Sequence, residues 1–301
     1  MIQRRVGDPL PLGDEELPYS KGLMARALIA AGVSADRAYD LARALEIDLA
    51  ERGSRSVELD RFDDLARSVL GEEEGERAAT QLRRLRDLNA LDVPLVILIG
   101  GATGTGKSTV ATEVAHRLGI TRVTSTDFIR QTMRAFFSQE FMPAVHYSSF
   151  EAGAAVPGTA TGDPVINGFV EQCRHVCVGV EAAIRRSLTE GWSMVLEGVH
   201  LVPGLVPAEL DGALLLHVIV GIADEEAHRS HFLIRDATTG GVRPMGQYLE
   251  GLDRIRRVQS YILSQARRDR VPVIENANVE RTISDVIELV LQLAARAPEP
   301  A

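Results

Sequence analysis

Gly101-Ala102-Thr103-Gly104-Thr105-Gly106-Lys107-Ser108 is the stretch on which the fold of this chain turns. It completes the pattern G-x-x-x-x-G-K-[ST]. In that pattern glycines let the backbone curl into a nest of N–H donors, a lysine bridges the outer phosphates and a hydroxyl faces Mg²⁺. A pattern this short has meaning only between the right flanks. Upstream, Val93-Pro94-Leu95-Val96-Ile97-Leu98-Ile99 is a continuous apolar run, as expected of a strand buried on both faces. Downstream, Lys107 to Leu118 has helical composition and stops at Gly119, a residue suited to the position just past a helix. Strand, loop and helix together predict a nucleotide site made by Gly101, Ala102, Thr103, Gly104, Thr105, Gly106, Lys107, Ser108 and Thr109. ATP or GTP is the first ligand to consider.

Composition sets the outer bounds. The chain has 301 residues, 45% apolar and 25% charged, enough for one large or two modest domains. A formal charge of −9 and a pI near 5.4 argue against nucleic acid as a partner, so an anion site must be a local gathering of basic residues. Cys173 and Cys177 stand four apart in a helical stretch without a second pair or a histidine cluster, and reduced buried thiols are expected rather than zinc. The opening Met1-Ile2-Gln3-Arg4-Arg5 leads into no apolar leader, and no run reaches membrane-spanning length. A soluble, cytoplasmic protein without a membrane partner is expected; homo-oligomerisation is left open.

Residues 1–90 read as a small, mostly helical module. Ile2 to Val6 suits a short strand or arm, and the helices begin after the turn-rich Gly7 to Gly13. Lys21 to Ala31 is closed by Gly32, and Ser34 caps a second helix whose Ala38, Leu41, Ala42, Leu45 and Leu49 share one face. A third helix follows an Asp60 cap, and a charged fourth runs from Glu73 to Asn89. Pro18-Tyr19-Ser20-Lys21-Gly22-Leu23-Met24-Ala25-Arg26 with the helix pair behind it resembles the ATP-cone, a module that binds regulatory nucleotides. The resemblance implies Lys21 and Arg26 as phosphate contacts; the plainer reading is a packing domain with Lys21 in solvent.

Residues 91–301 carry the chemistry. A second strand, Thr121 to Ser125, delivers Asp127 to its carboxyl end, the edge where open α/β sheets bind ligands. There Asp127 can orient or deprotonate an attacking hydroxyl, or merely cap the next helix, Phe128 to Phe137. Arg130 on that helix is a candidate clamp for an acceptor anion. Pro143 to Asn167, rich in small residues, reads as a lid or a disordered excursion, with Ser149 beside it as a pocket residue. After a helix from Gly168 to Glu190, the strand Ser193 to His200 sets Glu197 in the position of a magnesium-holding acid. Leu214 to Val220 and Val271 to Asn276 complete five strands. Between them, residues 228–257 hold six arginines against three carboxylates and form a lid in which Arg229 and Arg235 are the best candidates to cover phosphates. Strands alternating with helices predict an α/β fold, a five-stranded parallel sheet covered by helices. Catalytic Lys107, Asp127, Arg229 and Arg235, acceptor contacts from Asp127, Arg130, Ser149 and Glu197, and Mg²⁺ on Ser108 and Glu197 describe a small-metabolite kinase.

The motifs in this order resemble the 2-phosphoglycerate kinase family. They are Gly100 to Thr109, Ser125-Thr126-Asp127-Phe128-Ile129-Arg130, Tyr147-Ser148-Ser149-Phe150, Glu197-Gly198-Val199-His200-Leu201-Val202-Pro203, His228-Arg229-Ser230-His231-Phe232 and Val271 to Asn276. The ATP-cone-like leader also fits that family. The resemblance implies ATP as donor, Mg²⁺, and 2-phosphoglycerate as a small anionic acceptor phosphorylated on its 3-hydroxyl to 2,3-bisphosphoglycerate. Phe150, where the pattern has tyrosine, and His231, where arginine is common, depart from it. The competing readings are a P-loop kinase for another hydroxylated anionic metabolite and a non-enzymatic ATP-sensing regulator.

Overall fold

The computed structural model describes residues 19–158, 161–239 and 245–297, apart from the side chains of 233–239 and 245. The expected arm at Ile2 to Val6 and the residues Gly240, Gly241 and Arg243 of the lid lie outside the described residues. At the centre is β1 (Leu95–Gly100), wholly buried. Its start is displaced from the expected Val93 because Pro94 has no N–H to give to a ladder. β3 (Met194–Gly198) and β4 (Leu214–Gly221) flank it, and β2 (Val123–Ser125) and β5 (Val273–Glu275) form the edges, in the order β2-β3-β1-β4-β5. Every pairing is parallel. The neighbours of β1 therefore lie on opposite sides of it, and the loop leaving β1 emerges at the crevice where such sheets bind ligands.

Alternate side chains of β1 serve two cores, as the period of two requires. Leu95, Ile97 and Ile99 pack with α5 (Lys107–Leu118) and α11 (Val279–Ala294). Val96 and Leu98 face the other way, against Val176, Val180 and Ile184 of α7 (Pro164–Glu190). α10 (Leu252–Asp269) covers Ile219 of β4 on that same side. The outcome is a three-layer α/β/α sandwich.

Ahead of the sheet run α1 (Lys21–Ala30), α2 (Ala35–Arg52), α3 (Leu59–Leu70) and α4 (Glu72–Ala90). They enclose an apolar cluster of their own, drawn from residues 24–82. Glu58, not Asp60, occupies the cap position of α3. The bundle is joined to the sheet by its ends: Ala30, Leu85 and Leu88 enter the core beneath β1. Arg84 grips Glu288 of α11 with two hydrogen bonds, at 2.8 and 3.0 Å. Such a fork holds the Glu288 carboxyl below its usual range.

Two further boundaries differ from the sequence reading for local reasons. α6 (Thr126–Phe136) is capped by Ser125, whose hydroxyl accepts from the Phe128 amide, so Asp127 falls inside the first turn and is not the cap. α7 starts at Pro164 and not Gly168, because Asp163 caps it and proline fits the first turn. The stretch before α7 is more structured than a lid or excursion: it makes two 3-10 turns, Pro143–His146 and Ala152–Ala155, and buries Ala144, Val145, Phe150 and Ala152. Beyond β4 come α8 (Glu225–Thr239) and the short α9 (Met245–Glu250). Among the described residues no helix is long and apolar enough to cross a membrane.

Candidate active site

The loop between β1 and α5 is held by its carbonyl oxygens. That of Ala102 accepts from the Thr105 hydroxyl at 3.0 Å and from Lys107 Nζ at 3.3 Å. That of Thr103 meets His228 Nε2 at 2.8 Å, and that of Gly104 meets His231 Nδ1 at 3.1 Å. That of Thr105 accepts from Asn276 Nδ2 at 2.9 Å, and the Asn276 amide is itself fixed by Thr282. A carbonyl oxygen only accepts, so His228 carries its proton on Nε2 and His231 on Nδ1. Burial pushes the His228 imidazole down from its ordinary value, which keeps it neutral in that role. In a planar trans peptide the N–H points opposite to the C=O. Four tethered carbonyls therefore turn the amides of Thr103, Gly104 and Gly106 to the other side, while the Thr105 amide returns to Ala102. Those amides, with the N–H groups that open α5, have the geometry of an anion nest. Gly104 has no alternative there: its φ is +86°, and a Cβ would lie 2.4 Å from the Phe232 ring.

Next to the nest, the Ser108 hydroxyl donates to Glu197 Oε2 at 3.0 Å. Glu197 is the last residue but one of β3 and is buried. A hydroxyl and a carboxylate at the mouth of a phosphate nest make an all-oxygen donor pair of the kind Mg²⁺ takes alongside phosphate and water, so these residues fit the ion. No cluster of three or more His, Cys, Asp or Glu that could hold a metal occurs among the described residues. Cys173 and Cys177 are free and buried, and burial pushes the Cys177 thiol up to about 11.

A cavity of about 390 Å³ is lined by Lys107, Ser108 and Glu197 and also by Asp127, Arg130, Gln131, Ser148, Ser149, Gln247 and Tyr248. Asp127 Oδ1 accepts two hydrogen bonds from Arg130, at 2.8 and 3.0 Å. Arg130 is 6% exposed and also donates through Nη1 to the carbonyls of Val145 and Tyr147, both at 2.9 Å. Four hydrogen bonds of its guanidinium thus go to the protein, and its first task is to hold Asp127. The Ser149 hydroxyl lies 3.5 Å from that of Thr103. Thr109 is exposed on α5, one residue past Ser108.

Over the loop, His228, Phe232 and Tyr248 form a continuous stack, with centroid separations of 5.4 and 5.2 Å. Phe150 tilts against Tyr248 from below. Arg229 pairs with Glu225 and Glu226 on its own helix and is not among the residues lining the cavity. The side chain of Arg235 lies outside the described residues. In the helical bundle Lys21 pairs with Glu46 at the surface, at 3.1 Å. The roles of His228, His231 and Asn276 escape sequence reasoning, although each falls within a stretch that carries the family resemblance.

Removing one tether frees its carbonyl and loosens the nest. His228→Ala and Asn276→Ala are each expected to raise KM for ATP about tenfold, the weight of one lost hydrogen bond to a buried acceptor, with KM for the second substrate nearly unchanged. Steady-state kinetics varying one substrate at a time checks this. His200, fully buried, is pushed from 6.5 down to about 3, chiefly by burial and further by the nearby Arg130 charge. A folded value below the unfolded one means stability present above about pH 6.5 and lost as pH falls from there towards 3, by up to about 1.4 kcal/mol per pH unit. Denaturant titrations between pH 7 and 5 should show a flatter dependence for His200→Gln than for the parent chain.

No protein-family model matches the chain. It is 37% identical to a 2-phosphoglycerate kinase from Pyrococcus furiosus over 93% of this chain and 91% of that protein. It is 36% identical to a 2-phosphoglycerate kinase from Methanopyrus kandleri over 91% and 84%. For the 2-phosphoglycerate kinase of Methanothermobacter thermautotrophicus the identity is 36% over 94% and 93%. Among solved structures it is similar to a gluconokinase from Sinorhizobium meliloti, at 17% identity over 68% of this chain and 93% of that one, with a TM-score of 0.38. A shikimate kinase from Acinetobacter baumannii gives 16% identity over 68% and 96%, also with a TM-score of 0.38. The assignment rests on the full-length relatives and not on these distant folds. With the phosphate loop, the buried Glu197 and Asp127 facing one cavity, the chain belongs to the 2-phosphoglycerate kinase family.

Proposed function

We propose that the chain transfers the γ-phosphoryl group of ATP to the 3-hydroxyl of 2-phosphoglycerate, giving 2,3-bisphosphoglycerate and ADP. The observation that carries this is the shared cavity: Lys107, Ser108 and Glu197 line it together with Asp127. A donor phosphate on Lys107 and Ser108 and an acceptor hydroxyl on Asp127 would share that cavity. Asp127 accepts the hydroxyl proton as the new O–P bond forms, and the bond from the γ-phosphorus to the bridging oxygen breaks to release ADP. Lys107 and the loop amides hold the phosphate oxygens, where charge develops. Mg²⁺, held by Ser108 and Glu197, supplies neutralisation of the phosphate charge when bound.

The acceptor wall suits an anion. Ser149 and Gln131 offer neutral donors around it, Ser148 and Gln247 being engaged with Glu151, and Arg130 keeps one N–H beyond those it spends on the protein. Arg229 and Arg235 of α8 are assigned to the transferring group. Arg229 exchanges its exposed pairs with Glu225 and Glu226 for phosphate oxygens on closure, an exchange that costs little because such surface pairs are weak. In the same reading residues 1–90 form a separate helical domain and 91–301 the kinase domain with its lid at 228–257. The self-contained apolar cluster of residues 24–82 supports that division.

A coupled ADP-release assay with ATP and Mg²⁺ against 2-phosphoglycerate, 3-phosphoglycerate and glycerate tests the assignment. Turnover is expected with 2-phosphoglycerate, and a clear preference for another acceptor overturns the substrate. Lys107→Ala should lower kcat about 1000-fold with every acceptor, and Asp127→Asn about 100-fold or more. An unchanged kcat for Asp127→Asn would remove the base from the mechanism.

A further inference from the structure

Behind Asp127 lies a chain of buried polar groups that the reaction as written does not use. Thr126, immediately before Asp127, meets His200 Nδ1 through its hydroxyl at 2.8 Å. His200 Nε2 meets Gln172 Oε1 at 3.0 Å. Gln172 Nε2 donates to the carbonyls of Ala144 at 2.6 Å and Tyr147 at 3.1 Å. The Tyr147 carbonyl also accepts from Arg130, which grips Asp127. Thr126, His200 and Gln172 are each 0% exposed.

The direction of every hydrogen bond in this chain is fixed. Two carbonyl oxygens can be satisfied only by the NH₂ end of the Gln172 amide, so Oε1 must face His200. His200 then carries its proton on Nε2 and accepts at Nδ1, which makes the Thr126 hydroxyl the donor. Reversing the amide would set oxygen against two carbonyl oxygens and leave both contacts without a proton. A network with one allowed arrangement and every member satisfied holds its parts rigidly. The approach of Thr126 to β3 is equally tight, for a Cβ on Gly198 would lie 1.8 Å from the Thr126 hydroxyl.

The chain ends on both sides of one carboxylate. Through Thr126 it fixes the backbone that carries Asp127, and through Ala144 and Tyr147 it fixes the carbonyl cradle that aims Arg130 at Asp127. We propose that His200, Gln172 and Thr126 are positioning residues for phosphoryl transfer, setting the Asp127 carboxylate from behind while touching neither nucleotide nor acceptor. This rests on the assignment of Asp127 as the group that receives the acceptor proton.

Thr126→Val, which keeps shape and loses the hydroxyl, and Gln172→Leu are each expected to lower kcat about 10- to 100-fold, the scale of a misplaced catalytic group, with KM for ATP within about twofold. Thr126→Ser should restore most of the rate. In an Asp127→Asn background Gln172→Leu should cost less than about twofold more, because a residue acting through Asp127 has nothing left to position. Full, multiplicative losses in that background, or unchanged kcat in both single variants, overturn the proposal. If Asp127→Asn alone leaves kcat intact, the fault lies with the role of Asp127 and not with the positioning. Should Gln172→Leu fail to fold, the comparison of Thr126→Val with Thr126→Ser, alone and with Asp127→Asn, decides the matter.

Discussion

A phosphate nest works only if its carbonyl oxygens face away from the phosphates, and the rest of this structure is arranged around meeting that condition. A glycine-rich loop alone has many conformations, and most would present oxygen to an anion. Here Thr105 and Lys107 hold the first carbonyl from within the loop, and His228, His231 and Asn276 hold the next three from α8 and the end of β5. The donor half of the site is thus ordered before nucleotide arrives, and little conformational entropy is left to be lost on binding. The same contacts seat α8 on the loop, with an aromatic stack beside them.

The acceptor half is built differently. Arg130, His200 and Gln172 are buried without an apolar role, and each would be costly if unpartnered. His200 and Gln172 are fully hydrogen-bonded and Arg130 commits all but one of its N–H groups, which converts that cost into a single defined geometry around Asp127. Exposed residues such as Ser108 and Gln247 line the cavity beside this frame. The donor loop and the carboxylate are carried by adjacent parts of one parallel sheet.

Most of the framework was legible in the sequence because it depends on local pattern. The apolar run before Gly101, the helix after it and the acid at the end of β3 follow from periodicity and spacing. The sheet and its helices appear as expected. What could not be read depends on contacts distant along the chain. His228, His231 and Asn276 reach the loop from 125, 127 and 171 residues away, and no spacing rule links them to Gly101. Arg130 looked like a ligand clamp because its helix reaches the site; its engagement with Val145 and Tyr147 depends on the fold of the following stretch. That stretch resembled a lid through its small residues, whereas Ala144, Val145 and Ala152 are small in order to pack closely beneath α7.

The central claim is that the γ-phosphoryl group goes to a hydroxyl held at Asp127 and not to water. Following a mixture of the enzyme, ATP, Mg²⁺ and 2-phosphoglycerate by ³¹P NMR tests it most directly. Transfer predicts the two resonances of 2,3-bisphosphoglycerate growing in step with ADP, with no matching rise in inorganic phosphate. Inorganic phosphate appearing in proportion to ADP while the 2-phosphoglycerate resonance stays constant would contradict it.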